Sequence, residues 1–208
     1  MLKLHFNRFL FACLFFIIQV PAGHLFAQPW NLVRDQDGIK IYTFKEAGKS
    51  LKSFKGITDI PAPAQKVFAV IENVNDNAWW GANISQVKVM IYEKNKRSEY
   101  YLEYRLPWPL SNRDLVVEVK VNTDTVNQIY RTLANHLPGV VPLYPGKVRI
   151  PNYHQSWTVT PSAPGMSHVI LEGYADPSGN IPDWITNLAM VDTPDNLLRE
   201  LRKRMANQ

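Results

Sequence analysis

A segment of alternating side chains in the middle of the chain constrains the fold most, because it puts a charge on an apolar face. Leu115, Val117, Val119 and Val121 recur at every second position. In a β-strand this period of two places Arg113 on the same face as those apolar residues. Arginine stays charged at working pH and is rarely buried alone. It must therefore meet an internal acid, backbone carbonyls, water in a hollow or the polar end of a ligand.

The N-terminus has the pattern of a secretory signal peptide. Lys3 and Arg8 precede an apolar run over residues 9–18, and a cleavage site follows at Leu25-Phe26-Ala27. The run is shorter than the ~20 apolar residues that a transmembrane helix needs, although an uncleaved anchor stays open as an alternative. We therefore expect export to the periplasm or to the outside of a bacterial cell.

The expected domain organisation follows from that cleavage site. Residues 1–27 form the signal peptide and residues 28–208 a single domain, since no linker, repeat or low-complexity tract divides the chain. Cys13, the only cysteine, leaves with the signal peptide. The mature domain then has no disulfide, no thiolate metal site and no cysteine nucleophile.

Charge argues against nucleic-acid binding. Loss of Lys3 and Arg8 reduces the 23 basic residues to 21 against 18 acidic ones, so the formal net charge falls from +5 to +3. This excess is small for a nucleic-acid binder. Basic residues cluster only over residues 199–204. There they either oppose the macrodipole at a helix C-terminus or form a patch that approaches an anionic membrane.

The order of the predicted elements favours an α+β fold. A first helix is expected over residues 64–74, after two prolines, and a final helix begins near Asn180. Pro194 then indicates either a kink or a second helix capped by Thr193. Alternation predicts strands at residues 38–44, 51–60, 87–93, 99–106, 113–121, 126–133, 153–160 and 167–174.

The alternating faces of these strands give four rows of mostly apolar side chains. The rows are Val87, Val89 and Ile91; Tyr100, Leu102, Tyr104 and Leu106; Leu115 to Val121; and Tyr153, Trp157 and Val159. Such rows form either a packed core or the wall of a cavity, and the inward Arg113 favours a cavity. Glu103 falls on the opposite face and Asp114 points away. The alternation therefore leaves Arg113 either in a structural ion pair or in contact with a ligand.

Three motifs resemble those of a bacterial START domain, a member of the steroidogenic acute regulatory protein-related lipid-transfer family. Residues 107–114 read Pro-Trp-Pro-Leu-Ser-Asn-Arg-Asp, residues 172–177 Glu-Gly-Tyr-Ala-Asp-Pro, and residues 179–182 Gly-Asn-Ile-Pro. The resemblance covers roughly residues 30–205. It implies a helix-grip fold, in which a curved antiparallel sheet wraps around a long C-terminal helix with an internal apolar cavity of lipid size.

We therefore expect a lipid or another hydrophobic amphiphile as the partner, held in the cavity and gated by the C-terminal helix. The candidate ligand-binding residues are Arg113, Tyr100, Leu102, Tyr104, Leu115, Val117, Trp157, Trp184 and Leu188. The protein is expected to be a monomer that needs no cofactor, binds no nucleic acid and touches a membrane transiently.

Catalytic motifs have little support in the sequence. His136, His154 and His168 are dispersed, Ser111 lacks the glycines of a nucleophile elbow, and no phosphate-binding loop occurs. We therefore predict no catalytic residue and no metal site. Two alternatives stay open. One is a polyketide cyclase-like enzyme, which would need a titratable group such as His154 or Tyr174 near Arg113. The other is a non-carrying interaction module whose interior its own side chains fill.

Overall fold

The computed structural model describes residues 30–48 and 51–207. The predicted signal peptide and its cleavage site lie outside the described residues. Within them, ten strands and two helices follow one another along the chain. They are β1 (Asn31–Gln36), β2 (Ile39–Phe44), β3 (Ser53–Ile60), α1 (Ala64–Glu72), β4 (Ile84–Glu93), β5 (Arg97–Tyr104), β6 (Asn112–Asp124), β7 (Ile129–His136), β8 (Lys147–Arg149), β9 (Asn152–Ala163), β10 (Met166–Asp176) and α2 (Asp183–Ala206).

The strands form one open, curved sheet. Its order is β1-β2-β3-β10-β9-β7-β6-β5-β4, and β8 pairs with β6 beside this path. The β6 and β8 strands are parallel, whereas the other pairs are antiparallel. Since β3 pairs with β10, the two ends of the chain meet in the middle of the sheet. The predicted α+β class, with an antiparallel sheet and a C-terminal helix, is confirmed.

Two strands, β1 and β8, were not expected from the alternation. Strand β1 is mostly exposed at the sheet edge, so its side chains do not alternate between apolar and polar. It joins β2 through Asp37 and Gly38, whose φ angles of 53° and 74° are both left-handed. Two such residues form the tight turn that suits a β-hairpin. Strand β8 has only three residues and is too short to give a period.

Helix α1 follows Pro61 and Pro63, as the prolines indicate, and ends at Glu72 rather than at the predicted residue 74. Its buried side chains, Val67 and Phe68 among them, face the sheet. The helix therefore covers one end of the apolar face, next to β7 and β9.

Helix α2 is continuous through Pro194, so the alternative of a separate second helix is wrong. Proline removes one backbone hydrogen bond inside a helix, and tight packing has to offset this loss. Pro194 is buried over Gly56 of β3. A Cβ at Gly56 would approach Cδ1 of Leu198 to 2.7 Å and Cβ of Pro194 to 3.4 Å, so the missing side chain lets the helix lie close to the sheet.

One face of the sheet carries two apolar clusters. The helix-side cluster lies where α1 and α2 cover the sheet and includes Ile41, Leu171 and Leu198. Helix α2 makes its main contacts with β2 and β3 and a smaller contact with β10. This half of the face is therefore a conventional core between helix and sheet.

The second cluster, which we call the tyrosine cluster, lies on β5, β6 and their neighbours. It is formed by buried Val74, Tyr100, Leu102, Leu115, Val117, Val119, Ala134 and Ile150, with Trp80, Val87, Val89, Tyr92, Tyr104 and Tyr153 packed against them. Val119 belongs to this cluster while Val121 packs against the helix-side cluster, so both occupy the same face. The main contacts of α2 lie on the other half of that face.

Candidate functional site

Strands β5 and β6 bring five of the predicted ligand-binding residues together. Tyr100 pairs with Val117 and Leu102 with Leu115, and Tyr104 lies opposite Arg113. Tyr100, Leu102, Leu115 and Val117 are buried, and Tyr104 is partly buried. Period-two alternation puts them on one face, as the sequence predicts. They form a continuous apolar floor, in which Leu115 and Val117 are fully buried and Tyr104 keeps some exposed surface.

Three tyrosines place their hydroxyls in this apolar surrounding. Burial raises the pKa of Tyr104 from its usual 10.0 to about 12. Burial, followed by the neighbouring phenol of Tyr104, raises the pKa of Tyr100. Burial and the phenols of both residues likewise raise the pKa of Tyr153 well above its ordinary value. The Tyr153 hydroxyl donates to Oε1 of Gln155 at 2.7 Å. All three phenols therefore remain neutral hydrogen-bond donors at working pH.

Arg113 lies at one end of this floor and is only 3% exposed. Its Nε donates to the carbonyl oxygen of Pro177 at 3.0 Å, its Nη2 to that of Ser178 at 2.8 Å, and its Nη1 to that of Ser111. Of the partners that the sequence allows, backbone carbonyls are the ones present. Burial lowers the pKa of Arg113, because the carbonyls carry no full charge to offset the lost water.

These hydrogen bonds clamp the connection between β10 and α2 to the start of β6. Gly179 follows the clamped carbonyls with a φ of 72°, and a Cβ there would lie 3.1 Å from Nη2 of Arg113. A glycine is required at this point, because the backbone is left-handed and the guanidinium leaves little room. Arg113 thus positions the segment that leads into α2.

The remaining predicted residues lie away from the floor. Trp157 belongs to the helix-side cluster and meets Trp79 edge-on, with ring centroids 6.3 Å apart. Trp184 is 70% exposed, and Leu188 is also exposed. The helical period in the sequence assigns both to the buried stripe of α2. The buried residues in the first half of the helix are instead Thr186 and Met190.

Strand alternation missed the contribution of two aromatic residues to the floor. Trp80, in the connection between α1 and β4, packs on the ring of Tyr100 with centroids 5.1 Å apart. Tyr92 joins the cluster because a bulge between Val89 and Ile91 shifts the register of β4. Trp79-Trp80 was visible in the sequence as an aromatic pair, whereas a bulge has no reliable sequence signal.

Acidic residues on the opposite face have basic partners of their own. Asp114 is bound by Arg149, whose Nε and Nη2 donate at 2.7 and 2.9 Å. Glu103 is paired with Lys147. The prediction that Glu103 and Asp114 point away from Arg113 is confirmed. These pairs hold the connection between β7 and β9 against the outside of β5 and β6.

Three connections with exposed apolar side chains meet at the same end of the sheet. Arg113 joins the β5–β6 connection, at residue 111, to the β10–α2 connection, at residues 177 and 178. Arg149 binds the carbonyl oxygens of residues 141 and 142 in the β7–β8 connection. Trp108 on the first connection is 92% exposed, and Leu143 on the second is also exposed. Trp184 follows the third. Exposed tryptophans grouped in this way are uncommon on a protein surface that faces only water.

From Asp192 onward, α2 is fixed to the sheet by ion pairs. Arg34 of β1 donates to Asp192 at 2.9 Å and to Asp195 at 2.8 Å. Arg199 binds Asp37 of the β1–β2 turn at 2.9 Å and Asp195 at 3.2 Å. Arg204 pairs with Asp76 after α1, so much of the basic stretch over residues 199–204 is held within the molecule.

Two clefts open on the outside of the domain beside α1. One of about 400 Å³ is lined by Pro63, Gln128 and the turn between β9 and β10, and one of about 520 Å³ by Lys66, Asp76 and Met205 among others. Neither includes a residue of the tyrosine cluster. Among residues 30–48 and 51–207 no group of three His, Cys, Asp or Glu side chains could hold a metal ion. No helix in that part of the chain is long and apolar enough to cross a bilayer.

Comparison with known sequences gives relatives along most of the chain. No family model matches it. A Pseudomonas aeruginosa protein described as uncharacterized is 30% identical over 181 residues, which cover 87% of this chain and 89% of that protein. The mouse phosphatidylcholine transfer protein is 28% identical over 199 residues, which cover 91% of this chain and 89% of that protein.

A solved structure is similar to this chain in both sequence and fold. The crystal structure of the STAR-related lipid transfer protein (fragment 25–204) from Xanthomonas axonopodis has a TM-score of 0.76 and 30% identity, covering 85% of this chain and 98% of that one. The similarity thus extends over most of this chain. On this identity and coverage, the chain belongs to the StAR-related lipid transfer (START) family.

Proposed function

We propose that this protein binds one lipid or another hydrophobic amphiphile on the tyrosine cluster and carries it as a monomeric, exported carrier rather than an enzyme. The observation that carries the proposal is the apolar floor on β5 and β6, which lies beyond the main contacts of α2. Burial of an acyl chain contributes ~0.8 kcal/mol per CH₂, so even part of a chain gives useful affinity there. The START relatives, whose names include lipid transfer, support the same function.

The N-terminal part of α2, residues 183–191, is the proposed gate. The ion pairs of α2 fall at Asp192 and beyond, and Pro194 removes a backbone hydrogen bond between the two halves. Before it, Trp184 and Leu188 lie exposed rather than packed on the sheet. A helix that is fixed at one end and lightly packed at the other opens locally without unfolding the sheet.

A reversible cross-link tests the gate. The backbone N–H of Lys52 donates to Oδ1 of Asn187 at 3.0 Å, so the two residues are neighbours and form the pair chosen for a disulfide. The mature domain has no other cysteine if the signal peptide is removed as predicted. We expect the oxidised Lys52→Cys, Asn187→Cys protein to transfer lipid between vesicles at least tenfold more slowly, and reduction to restore the rate. Equal rates before and after reduction, with both single-cysteine variants as controls, would exclude this gate.

The end of the sheet that carries Trp108, Leu143 and Trp184 is the proposed site of transient membrane contact. Tryptophan prefers the boundary between head groups and hydrocarbon, where its ring is partly buried and its N–H stays hydrated. The same end carries the clamp of Arg113. Contact there would place the entrance to the floor at the membrane.

Native mass spectrometry of the protein purified from its own host tests the carrier function. A carrier has a mass excess of one small molecule, and extraction into organic solvent releases a lipid or comparable amphiphile. A bound compound that is chemically changed on incubation would favour the cyclase alternative. A protein that is empty, and stays empty after mixing with lipid vesicles, would favour the non-carrying module and contradict the proposal.

A further inference from the structure

Two hydroxyls of the tyrosine cluster can donate and accept hydrogen bonds but have no partner among the described residues. Tyr100 is 7% exposed, and neither its hydroxyl nor that of Tyr104 makes a hydrogen bond to any described residue. The side-chain atoms that are both sealed and unpartnered in residues 30–48 and 51–207 are Nε1 of Trp79, Nδ1 of His136 and Nε of Arg204. The two phenol oxygens are not among them. Each phenol oxygen therefore keeps some accessible surface.

The charged groups at the two ends of the tyrosine cluster already make hydrogen bonds, although no described carboxylate pairs with Arg113. The side chains that form the tyrosine cluster carry no charge. At one end Arg113 donates to three backbone carbonyls. At the other, the carboxylate of Glu72 accepts from Tyr92 at 2.9 Å and from the backbone N–H of Asn95 at 3.3 Å. His136 shares this face, because it pairs with Val117, and its Nδ1 is sealed without a partner. The phenols are the polar side chains of the tyrosine cluster that remain to meet a ligand.

We propose that the floor binds the uncharged, oxygen-bearing end of its cargo, a carbonyl, ester or hydroxyl oxygen that accepts from Tyr100 and Tyr104, and rejects an ionised carboxylate or phosphate. This inference rests on the carrier function proposed above and names the class of ligand. Tyr153 adds a third hydroxyl, which is oriented by Gln155.

The raised pKa values of the phenols are consistent with this discrimination. A surrounding that disfavours a phenolate disfavours another anion in the same place, because both lose the same hydration. For Tyr104 the pKa rises from 10.0 to about 12, and one pKa unit corresponds to a tenfold change in population. Hydrogen bonds from the phenols offset part of the hydration free energy that a bound anion loses. We therefore expect a neutral ligand to bind about 10- to 100-fold more tightly than its anionic counterpart.

Three fluorescent probes with one chain separate these contributions. They are pyrene-hexadecanoic acid, its methyl ester and pyrene-hexadecane, and each is titrated against the full mature protein at pH 7. The inference predicts that the ester binds at least tenfold more tightly than the acid and more tightly than the hydrocarbon. It also predicts that the acid approaches the affinity of the ester at a pH low enough to protonate its carboxylate, whereas ester binding does not change.

Phenylalanine substitutions test the two hydroxyls without removing the rings. Tyr100→Phe and Tyr104→Phe together should weaken ester binding about 5- to 30-fold, and leave hydrocarbon binding within twofold. Tyr101→Phe is the matched control, because Tyr101 lies between them in sequence but faces the other side of the sheet, where it receives a hydrogen bond from Lys147 at 3.4 Å. It should leave both affinities unchanged.

The outcomes distinguish this inference from the carrier function. If no probe binds, the carrier function fails and the inference fails with it. If the probes bind but the acid equals or exceeds the ester at pH 7, the carrier function stands and the neutral-ligand inference is wrong. The wild-type comparison of acid and ester decides the matter even if the double variant does not fold.

Discussion

Replacement of Arg113 by methionine tests whether this buried cation holds the loops at one end of the sheet. Its guanidinium donates to the carbonyl oxygens of Ser111, Pro177 and Ser178. Arg113→Met keeps an unbranched apolar stem and removes all three hydrogen bonds. The variant therefore separates the clamp from the packing of the stem.

The expected loss is about 2 kcal/mol in the free energy of unfolding. Hydrogen bonds to charged groups contribute roughly 1.5–3 kcal/mol each, but loop carbonyls near the surface regain water, so about 1 kcal/mol per lost bond is appropriate. Three bonds give about 3 kcal/mol. Roughly 1 kcal/mol is returned because the variant no longer buries a charge, an effect consistent with the lowered pKa of Arg113.

Urea unfolding followed by tryptophan fluorescence measures this loss. With a denaturant slope of about 2 kcal/mol/M, the midpoint should fall by about 1 M. Arg97→Met is the matched control, because Arg97 is more exposed than Arg113 and pairs with Glu93 and Glu99 at 3.7 and 3.3 Å. It should lose less than about 1 kcal/mol. An unchanged midpoint for Arg113→Met, together with an altered lipid preference, would refute the clamp and return Arg113 to a ligand-binding role.

Four further outcomes follow from the same structure. Trp108→Ser should weaken binding to phosphatidylcholine vesicles about tenfold in a flotation assay. Val126 is about as exposed as Trp108 but lies beyond the far end of β6, so Val126→Ser should leave this binding unchanged. Equal effects of the two substitutions would exclude the proposed membrane contact. Gly173→Ala should destabilise the fold by about 2 kcal/mol or more in urea unfolding, because its Cβ would lie 2.9 Å from a backbone carbonyl oxygen of β9, and an unchanged midpoint would contradict this packing. Folding raises the pKa of Tyr104 from 10.0 to about 12. The neutral phenol therefore stabilises the folded state below pH 10, and this contribution is lost as the pH rises to about 12. The Tyr104→Phe variant should lose less stability over that interval than the wild type. Mass spectrometry of the exported protein should find Gln28 at its N-terminus, and a retained leader would support the anchor alternative.

Period-two alternation recovered the floor of the candidate site from sequence, since the residues there follow a regular strand. Tyr100, Leu102 and Tyr104 share a face with Leu115 and Val117, as the pattern requires. A buried face on a regular strand leaves no other register open. This part of the site was therefore predictable without a structure.

The C-terminal helix was less predictable because propensity and tertiary packing disagree there. Pro194 indicates a break, yet the close approach at Gly56 lets one helix continue. Trp184 and Leu188 have the spacing of a buried stripe, yet they are exposed because α2 packs on β2 and β3 through a different face. Helical periodicity indicates that one face of a helix is apolar, but it does not indicate which part of the protein covers that face.

The partner of Arg113 could not be read from side-chain patterns, because the partner is backbone. Two of its three acceptors lie in the connection after β10, 64 and 65 residues away, and the third is the carbonyl oxygen of Ser111. Carbonyl groups occur at every residue and carry no sequence signal. Gly179 is the sequence feature that relates to this clamp, because a residue with positive φ and no side chain is needed beside the guanidinium.

Photo-cross-linking tests most directly whether the tyrosine cluster binds the cargo. The protein is loaded with a neutral fatty ester that carries a diazirine along its chain, irradiated, digested and analysed by mass spectrometry. We expect adducts on residues of the tyrosine cluster that keep exposed surface, such as Val87, Val89 and Tyr104, and excess unlabelled ester should suppress them. Adducts confined to outer-face residues such as Val116, or to the clefts beside α1, would contradict it.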